Sequence, residues 1–166
     1  MSYFSNFNTI NYDIKGIKFN PQFTPITNIL TRVRMKTEFI KNKVYYSDYM
    51  VVDGETPESL AHDFYGDAHL AWIVMYAQMI TNPYYDWPLK YYDLTKYIAK
   101  KYGTDQLSPH HYENSDGWEV DATSSGAQVV TNFKYEEIEN DKRRAINLVR
   151  PEFVNAIRKE FKKLIN

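Results

Sequence analysis

The chain has 166 residues, 43% of them hydrophobic and 25% charged, and a formal net charge of −1. That length supports one core and a second small lobe, and the balanced charge gives no global pull toward nucleic acid or anionic membrane. The absence of cysteine excludes a disulfide framework, a thiolate nucleophile and a zinc–thiolate site, and no segment approaches the roughly 18 apolar residues of a membrane span.

Residues 1–22 are polar, rich in asparagine and aromatics, and broken by Ser, Asn and Gly. They read either as a partly disordered terminus or as an extended arm anchored by Tyr3, Phe4, Phe7, Tyr12, Ile14, Ile17 and Phe19. The stretch lacks the basic start and continuous apolar core of a secretory signal, so the expected compartment is a cytoplasm. In FTPITNILTRVRM, Ile26, Ile29, Leu30 and Val33 fit a short helix, while Thr31, Val33 and Met35 fit a strand. Thr37 to Ser47 is basic and aromatic and leads into Tyr49 to Val52, a β-branched run suited to a strand.

Asp53-Gly54 ends that strand in a turn. Thr56 is a good N-cap and Pro57 a good first helical residue, since proline has no N–H to leave unpaired. Leu60, Ala61, Phe64 and Tyr65 carry the helical spacing, and Gly66 ends it. Asp67 caps a second helix over about 70–79, apolar on most faces, with Leu70, Ile73, Val74 and Ala77 on one side and Trp72, Tyr76 and Met79 on another. An aromatic loop, Tyr84-Tyr85-Asp86-Trp87-Pro88, follows.

Tyr91, Leu94, Ile98 and Tyr102 share one face of a helix that Gly103 caps. Alternation from Trp118 to Tyr135 around Ser124-Ser125-Gly126 predicts a β-hairpin. The charged run 135–144 fits a loop or a frayed helix. Pro151 starts a last helix with an apolar stripe of Phe153, Ile157, Phe161 and Leu164, with Val154 and Ile165 beside it. The expected fold class is α+β: an N-terminal arm (1–45), a strand–helix–helix module with its following helix (46–106), and a hairpin with an amphipathic helix (107–166).

The chain carries no Walker loop, GxGxxG or GxSxG string, and no nucleophile stands beside a base. Asp63, Asp67 and Asp86 are a solvated helix position, a cap and a turn residue, so no carboxylate pair is assigned to catalysis. His110-His111 is the only adjacent histidine pair, and adjacent histidines are expected to point apart. The reading is of a non-enzyme without cofactor or metal. The candidates for partner binding are Tyr84, Tyr85, Trp87 and Pro88 in the aromatic loop, and Phe153, Ile157 and Phe161 on the last helix, whose stripe alternatively closes the chain's own core.

The order strand, DGETPESLA, helix, helix resembles the LysM fold, a small βααβ module. The longer run 53–89, with its acidic-Gly-Glu turn, Tyr65-Gly66-Asp67 link, Trp72-Ile73-Val74 helix and Asn82-Pro83-Tyr84-Tyr85-Asp86-Trp87-Pro88 loop, resembles the LysM-like baseplate wedge subunit family of contractile-tailed bacteriophages. The end of the chain, KRRAINLVRPEFVNAIRKEFKKL, is also similar to that family. The resemblance implies a structural virion protein of the tail baseplate, assembled in the host cytoplasm. It implies a clamp that packs against other wedge proteins near the sheath-initiating protein and joins neighbouring wedges, in many copies, into a ring around the hub. From charge and the lack of a long apolar segment, no nucleic-acid or membrane partner is expected. The alternative is a single LysM-type module that binds peptidoglycan glycan between Gly54–Pro57 and Thr81–Trp87. Trp87-Pro88-Leu89 stands where a LysM repeat has its closing strand.

Overall fold

The computed structural model describes residues 3–16, 21–31, 33 and 42–165. The expected anchors Ile17 and Phe19, the strand position Met35 and the basic stretch 37–41 lie outside the described residues. Mixed helix and strand make the α+β class. Two compact units form: one from the described parts of 1–47, 56–79 and 147–166, the other from 48–55 and 80–146.

In the first unit, α1 (Pro57–Tyr65) forms because its ends are chemically closed. Thr56 Oγ1 accepts from the Ser59 N–H at 3.2 Å, and Ser59 Oγ accepts from the Thr56 N–H at 2.9 Å. This reciprocal bonding is a capping box made with serine rather than glutamate. Gly66, at φ 74°, ends the helix where a side chain would be strained. Asp67 then caps a 3-10 turn, accepting from the His69 N–H at 2.9 Å, and that turn runs into α2 (Ala71–Ala77). Leu60, Ala61, Ile73 and Val74 are almost wholly buried, as the apolar faces require.

Strand β1 (Thr9–Asp13) pairs antiparallel with β2 (Phe23–Thr27), so the arm carries a ladder of its own. The helical option beginning at Ile26 is displaced, because Thr24-Pro25 keeps the chain extended and Ile26 faces Ile10 across the ladder. Before it, Tyr3 packs on Trp72 and Phe161, with ring centroids 5.7 and 5.4 Å away, and Phe7 meets Phe161 at 6.2 Å. Of the expected anchors, Tyr3 and Phe7 are half-buried, whereas Phe4, Tyr12 and Ile14 are exposed.

Strand β3 (Tyr46–Met50) pairs with a strand distant in sequence, Ala145–Val149, the seventh and last of the described residues. In the first unit the Arg150 N–H donates to the Tyr45 carbonyl at 2.9 Å. In the second the Val51 N–H donates to the Arg144 carbonyl at 2.8 Å, which makes the pair antiparallel. Trp87-Pro88-Leu89 is not a strand. The final helix of the first unit, Pro151–Ile165, buries Val154, Phe161 and Ile165; Phe153 and Ile157 are half-buried and Leu164 is exposed. The most buried positions are thus Phe161 of the stripe read in sequence and its two flanking residues, Val154 and Ile165.

In the second unit, α3 (Pro83–Asp86) is a single turn and α4 (Tyr91–Tyr102) buries Leu94 and Ile98. A three-stranded sheet follows, ordered β5 (Glu119–Val120), β4 (Pro109–Glu113), β6 (Gln128–Thr131). The expected hairpin is corrected here: Val120 and Val129 do not face each other but flank Tyr112, which pairs with both. The sequence PHHYE has no apolar alternation, so β4 leaves no local signal. Strand β6 stops at Thr131, whose Oγ1 accepts from the Lys134 N–H at 3.2 Å and starts α5 (Asn132–Lys142). Phe133 and Tyr135 therefore lie on a helix. The charged run is a regular helix, and the strand after it, Ala145–Val149, is labelled β7; the last helix, Pro151–Ile165, is α6.

Two stability predictions follow from the first unit. Trp72 is 7% exposed and its ring packs tilted on Phe161, with centroids 4.6 Å apart; Trp72→Ala should lower unfolding free energy by about 3–5 kcal/mol in a denaturant titration. Met79 ends α2 at φ 56° with its side chain 69% exposed. Met79→Gly should raise stability by roughly 1 kcal/mol, because the left-handed strain is relieved with little loss of burial.

Candidate interaction site

The aromatic loop and the acidic-Gly-Glu turn meet within the second unit. Trp87 Nε1 donates to the Glu55 carbonyl at 2.8 Å, and the indole is 7% exposed. Glu55 is itself held: its Oε1 accepts from Tyr49 Oη at 2.9 Å and its Oε2 from the Val52 N–H at 3.0 Å. Asp53 Oδ1 accepts from the Tyr91 N–H at 2.9 Å, which fastens the start of α4 to the turn.

Arg144 completes this arrangement. Its Nη2 meets Asp53 Oδ1 at 2.9 Å and its Nε meets Asp141 Oδ1 at 3.0 Å; Nη1 reaches the Val51 carbonyl at 3.3 Å. Asn140, 2% exposed, grips one residue from both sides: Oδ1 accepts from the Leu89 N–H at 2.7 Å and Nδ2 donates to the Leu89 carbonyl at 2.9 Å. Nothing local in the sequence marks Arg144 or Asn140 for this work, since both lie in a charged run and the groups they hold on the turn and loop, Asp53 and Leu89, are more than fifty positions away.

The partner-binding candidates therefore divide. Trp87 and Pro88 are buried and hold the loop in place. Tyr84 and Tyr85 are 86% and 73% exposed. Their backbone is fixed by short bonds: Asn82 Oδ1 accepts from the Tyr84 N–H at 3.1 Å, and Asp86 Oδ2 accepts from the Asn82 N–H at 3.1 Å. In the first unit, Phe161 is 4% exposed inside the aromatic cluster, and Phe153 meets Tyr45 edge-on at 4.9 Å. Phe161 thus closes the chain's own core, and Ile157 is half-buried beside it on α6.

The adjacent histidines do not point apart. The ladder slips between Pro109 and His111, and this bulge turns both rings to one side. Their Nδ1 atoms lie 2.8 Å apart, His111 Nε2 is 2.8 Å from Glu113 Oε1, and His110 stacks on Tyr135 at 3.8 Å. One Nδ1 donates and the other accepts, so a single proton links the pair. Among the described residues, no group of three or more His, Cys, Asp or Glu is gathered for a metal ion, and no helix is long and apolar enough to cross a membrane. Glu136 is buried on α5 and accepts from Lys101 Nζ at 2.5 Å and Tyr102 Oη at 2.8 Å, a structural pairing of α4 with α5.

Comparison with known proteins decides the family. A family model described as base plate wedge protein 53 matches residues 2–122. The chain belongs to that family. It is therefore a structural protein of a phage tail baseplate wedge. Baseplate wedge protein gp53 of Enterobacteria phage T4 is 26% identical over 116 residues, covering 68% of this chain and 59% of that protein. The chain thus spans about three-fifths of the length of the curated relative it matches.

The turn makes a pH prediction. The Arg144 guanidinium, and then the Tyr91 N–H, hold the Asp53 carboxyl below its usual range. A carboxylate depressed on folding stabilises above its unfolded pKa, near 4, and loses that contribution as pH falls through the folded value. Asp53→Asn should be less stable than wild type at pH 7 by under about 1 kcal/mol, the scale of a half-exposed ion pair. The gap between their melting temperatures should close below about pH 4.

Proposed function

We propose that this wedge protein is a non-enzymatic clamp that packs against other wedge proteins and joins neighbouring wedges into the ring around the hub, close to the sheath-initiating protein. The observation that carries the reading is the exposed pair Tyr84 and Tyr85 on a turn whose backbone is already bonded in place. Large aromatic side chains held rigidly lose little ordering entropy on docking, which is the composition and state of a binding hot spot. Family membership supports the baseplate setting, and the absence of a nucleophile–base arrangement in the sequence supports a role without catalysis.

The LysM-like reading of the module draws support from the order β3, α1, α2 and from β7, which pairs with β3 where a closing strand is needed. The chain between α2 and β7 is then a large insertion in a strand–helix–helix–strand module. The glycan-binding alternative, between Gly54–Pro57 and Thr81–Trp87, has less support at Trp87, whose indole N–H is taken by Glu55 and whose ring is covered.

The double substitution Tyr84→Ser, Tyr85→Ser removes the exposed rings and leaves the bonds of the turn. Its stability should stay within about 0.5 kcal/mol of wild type, as for surface positions. Wedge-to-ring assembly, followed by sedimentation and electron microscopy, should fail or slow markedly. Normal rings from the folded double variant would remove this loop from the interface.

A further inference from the structure

The ribbon of β1 and β2 has one closed edge and one open edge. The Asn28 N–H donates to the Asn8 carbonyl at 2.8 Å, immediately before the first ladder pair, Thr9 with Thr27. Antiparallel pairs alternate between bonded and non-bonded, so Ile10–Ile26 and Tyr12–Thr24 exchange bonds inside the ribbon. Thr9, Asn11 and Asp13 on β1, and Phe23, Pro25 and Thr27 on β2, turn their main-chain groups outward. The outer edge of β2 is blunted twice. Pro25 has no N–H to offer there, and the Thr27 carbonyl already accepts from the Ile29 N–H at 3.0 Å. The outer edge of β1 carries no such device. Among the described residues, no hydrogen bond reaches the main-chain N–H or carbonyl of Thr9, Asn11 or Asp13. Two strands alone are marginally stable, and no residue of either strand is buried.

We propose that β1 accepts a third strand, an extended segment of a neighbouring wedge protein, paired along Thr9, Asn11 and Asp13. Area argues against a second copy of this chain. Five residues span roughly 17 Å at about 3.4 Å each. That edge is too short to bury the roughly 1,200 Å² at which stable interfaces begin. The added strand therefore belongs to a protein that other contacts already hold beside this one. The identity of the partner rests on the clamp reading above; the open edge does not. Side chains alternate across β1, Ile10 and Tyr12 to one face and Asn11 and Asp13 to the other. Residues set opposite Ile10 and Tyr12 are then β-branched or aromatic, the pairs that stabilise a ladder. Asp13 is the only charged residue of the two strands, so its counterpart is basic or a hydroxyl and not an acid. Its Oδ1 accepts from the Lys15 and Gln22 N–H groups at 3.1 and 3.4 Å, which holds the carboxylate at the end of the ribbon.

The test follows amide exchange at single residues of the full chain, free and in wedges assembled from the other wedge proteins. In the free chain the Thr9, Asn11 and Asp13 amides should exchange faster than those of Ile10 and Tyr12. In the wedge they should slow by about tenfold or more, as newly bonded amides do. Asn11→Pro removes one outward donor and no bond inside the ribbon, as Pro25 does on β2. Its free chain should keep the melting curve and the protection of Ile10 and Tyr12. Its entry into wedges, in competition with wild type, should fall by about tenfold or more. Asn11→Ala keeps the N–H and should enter like wild type; Thr9→Pro serves if Asn11→Pro loosens the ribbon. A wedge-bound Asn11 amide that exchanges as fast as in the free chain, or proline variants that match wild type, would overturn the added strand and leave the clamp standing. Dimers of the free chain that Asn11→Pro abolishes would assign the edge to a second copy and overturn the proposal too. Failure of the wild-type chain to enter wedges would overturn the clamp reading itself, and the inferred partner with it.

Discussion

The ladder between β3 and β7 is the constraint on which the rest depends. It joins segments about a hundred positions apart, as the Arg150 Nε to Tyr46 carbonyl bond shows with its separation of 104. Closing so long a loop costs conformational entropy, although the cost grows only logarithmically with length. Burial of Ile146, Leu148 and Val149 along β7 offsets it, since each apolar side chain removed from water contributes roughly 1.5–3 kcal/mol. Once the ladder forms, α1 and α2 are bracketed in the first unit, and the chain from Ile80 to Ile146 is bounded in the second.

Within the second unit, polar bonds do what a larger apolar core would otherwise do. Asp53, Glu55, Asn140 and Arg144 take up backbone groups of a turn and a loop that have no regular partner. Buried backbone donors and acceptors must be satisfied, and side chains here replace a sheet. The result is a loop that is rigid at Trp87 and Leu89 and bare at Tyr84 and Tyr85. A contact surface held in that way needs no ordering at the moment of docking.

The arm shows the same economy on the first unit. Tyr3 and Phe7 add aromatic surface to Trp72 and Phe161 that the module's own helices leave uncovered. Burial and the Tyr76 hydroxyl, 3.1 Å away, push the Tyr3 phenol well above its usual range, so it stays neutral throughout the physiological range. The aromatic side chains are thus partly internal. Some rings close the core, and a smaller set faces outward.

What the sequence determined by itself is local. Thr56, Pro57, Gly66 and Asp67 specify the ends of two helices through bonds to residues at most four positions away, and Leu94 with Ile98 marks the inner face of α4. Those interactions are short in sequence, so their residue types leave a readable pattern. The family was legible for the same reason, since the run from Asp53 to Leu89 lies within the matched residues 2–122. Tertiary structure alone decided which strand pairs with β3, that β4 lies between β5 and β6, and that a bulge turns His110 toward His111. It also decided that Trp87 and Phe161 face inward while Tyr84 and Tyr85 do not. An aromatic side chain looks the same in sequence whether it fills a core or waits for a partner. Its role is set by whether a distant carbonyl, such as that of Glu55, or a distant ring, such as that of Tyr3, arrives to cover it.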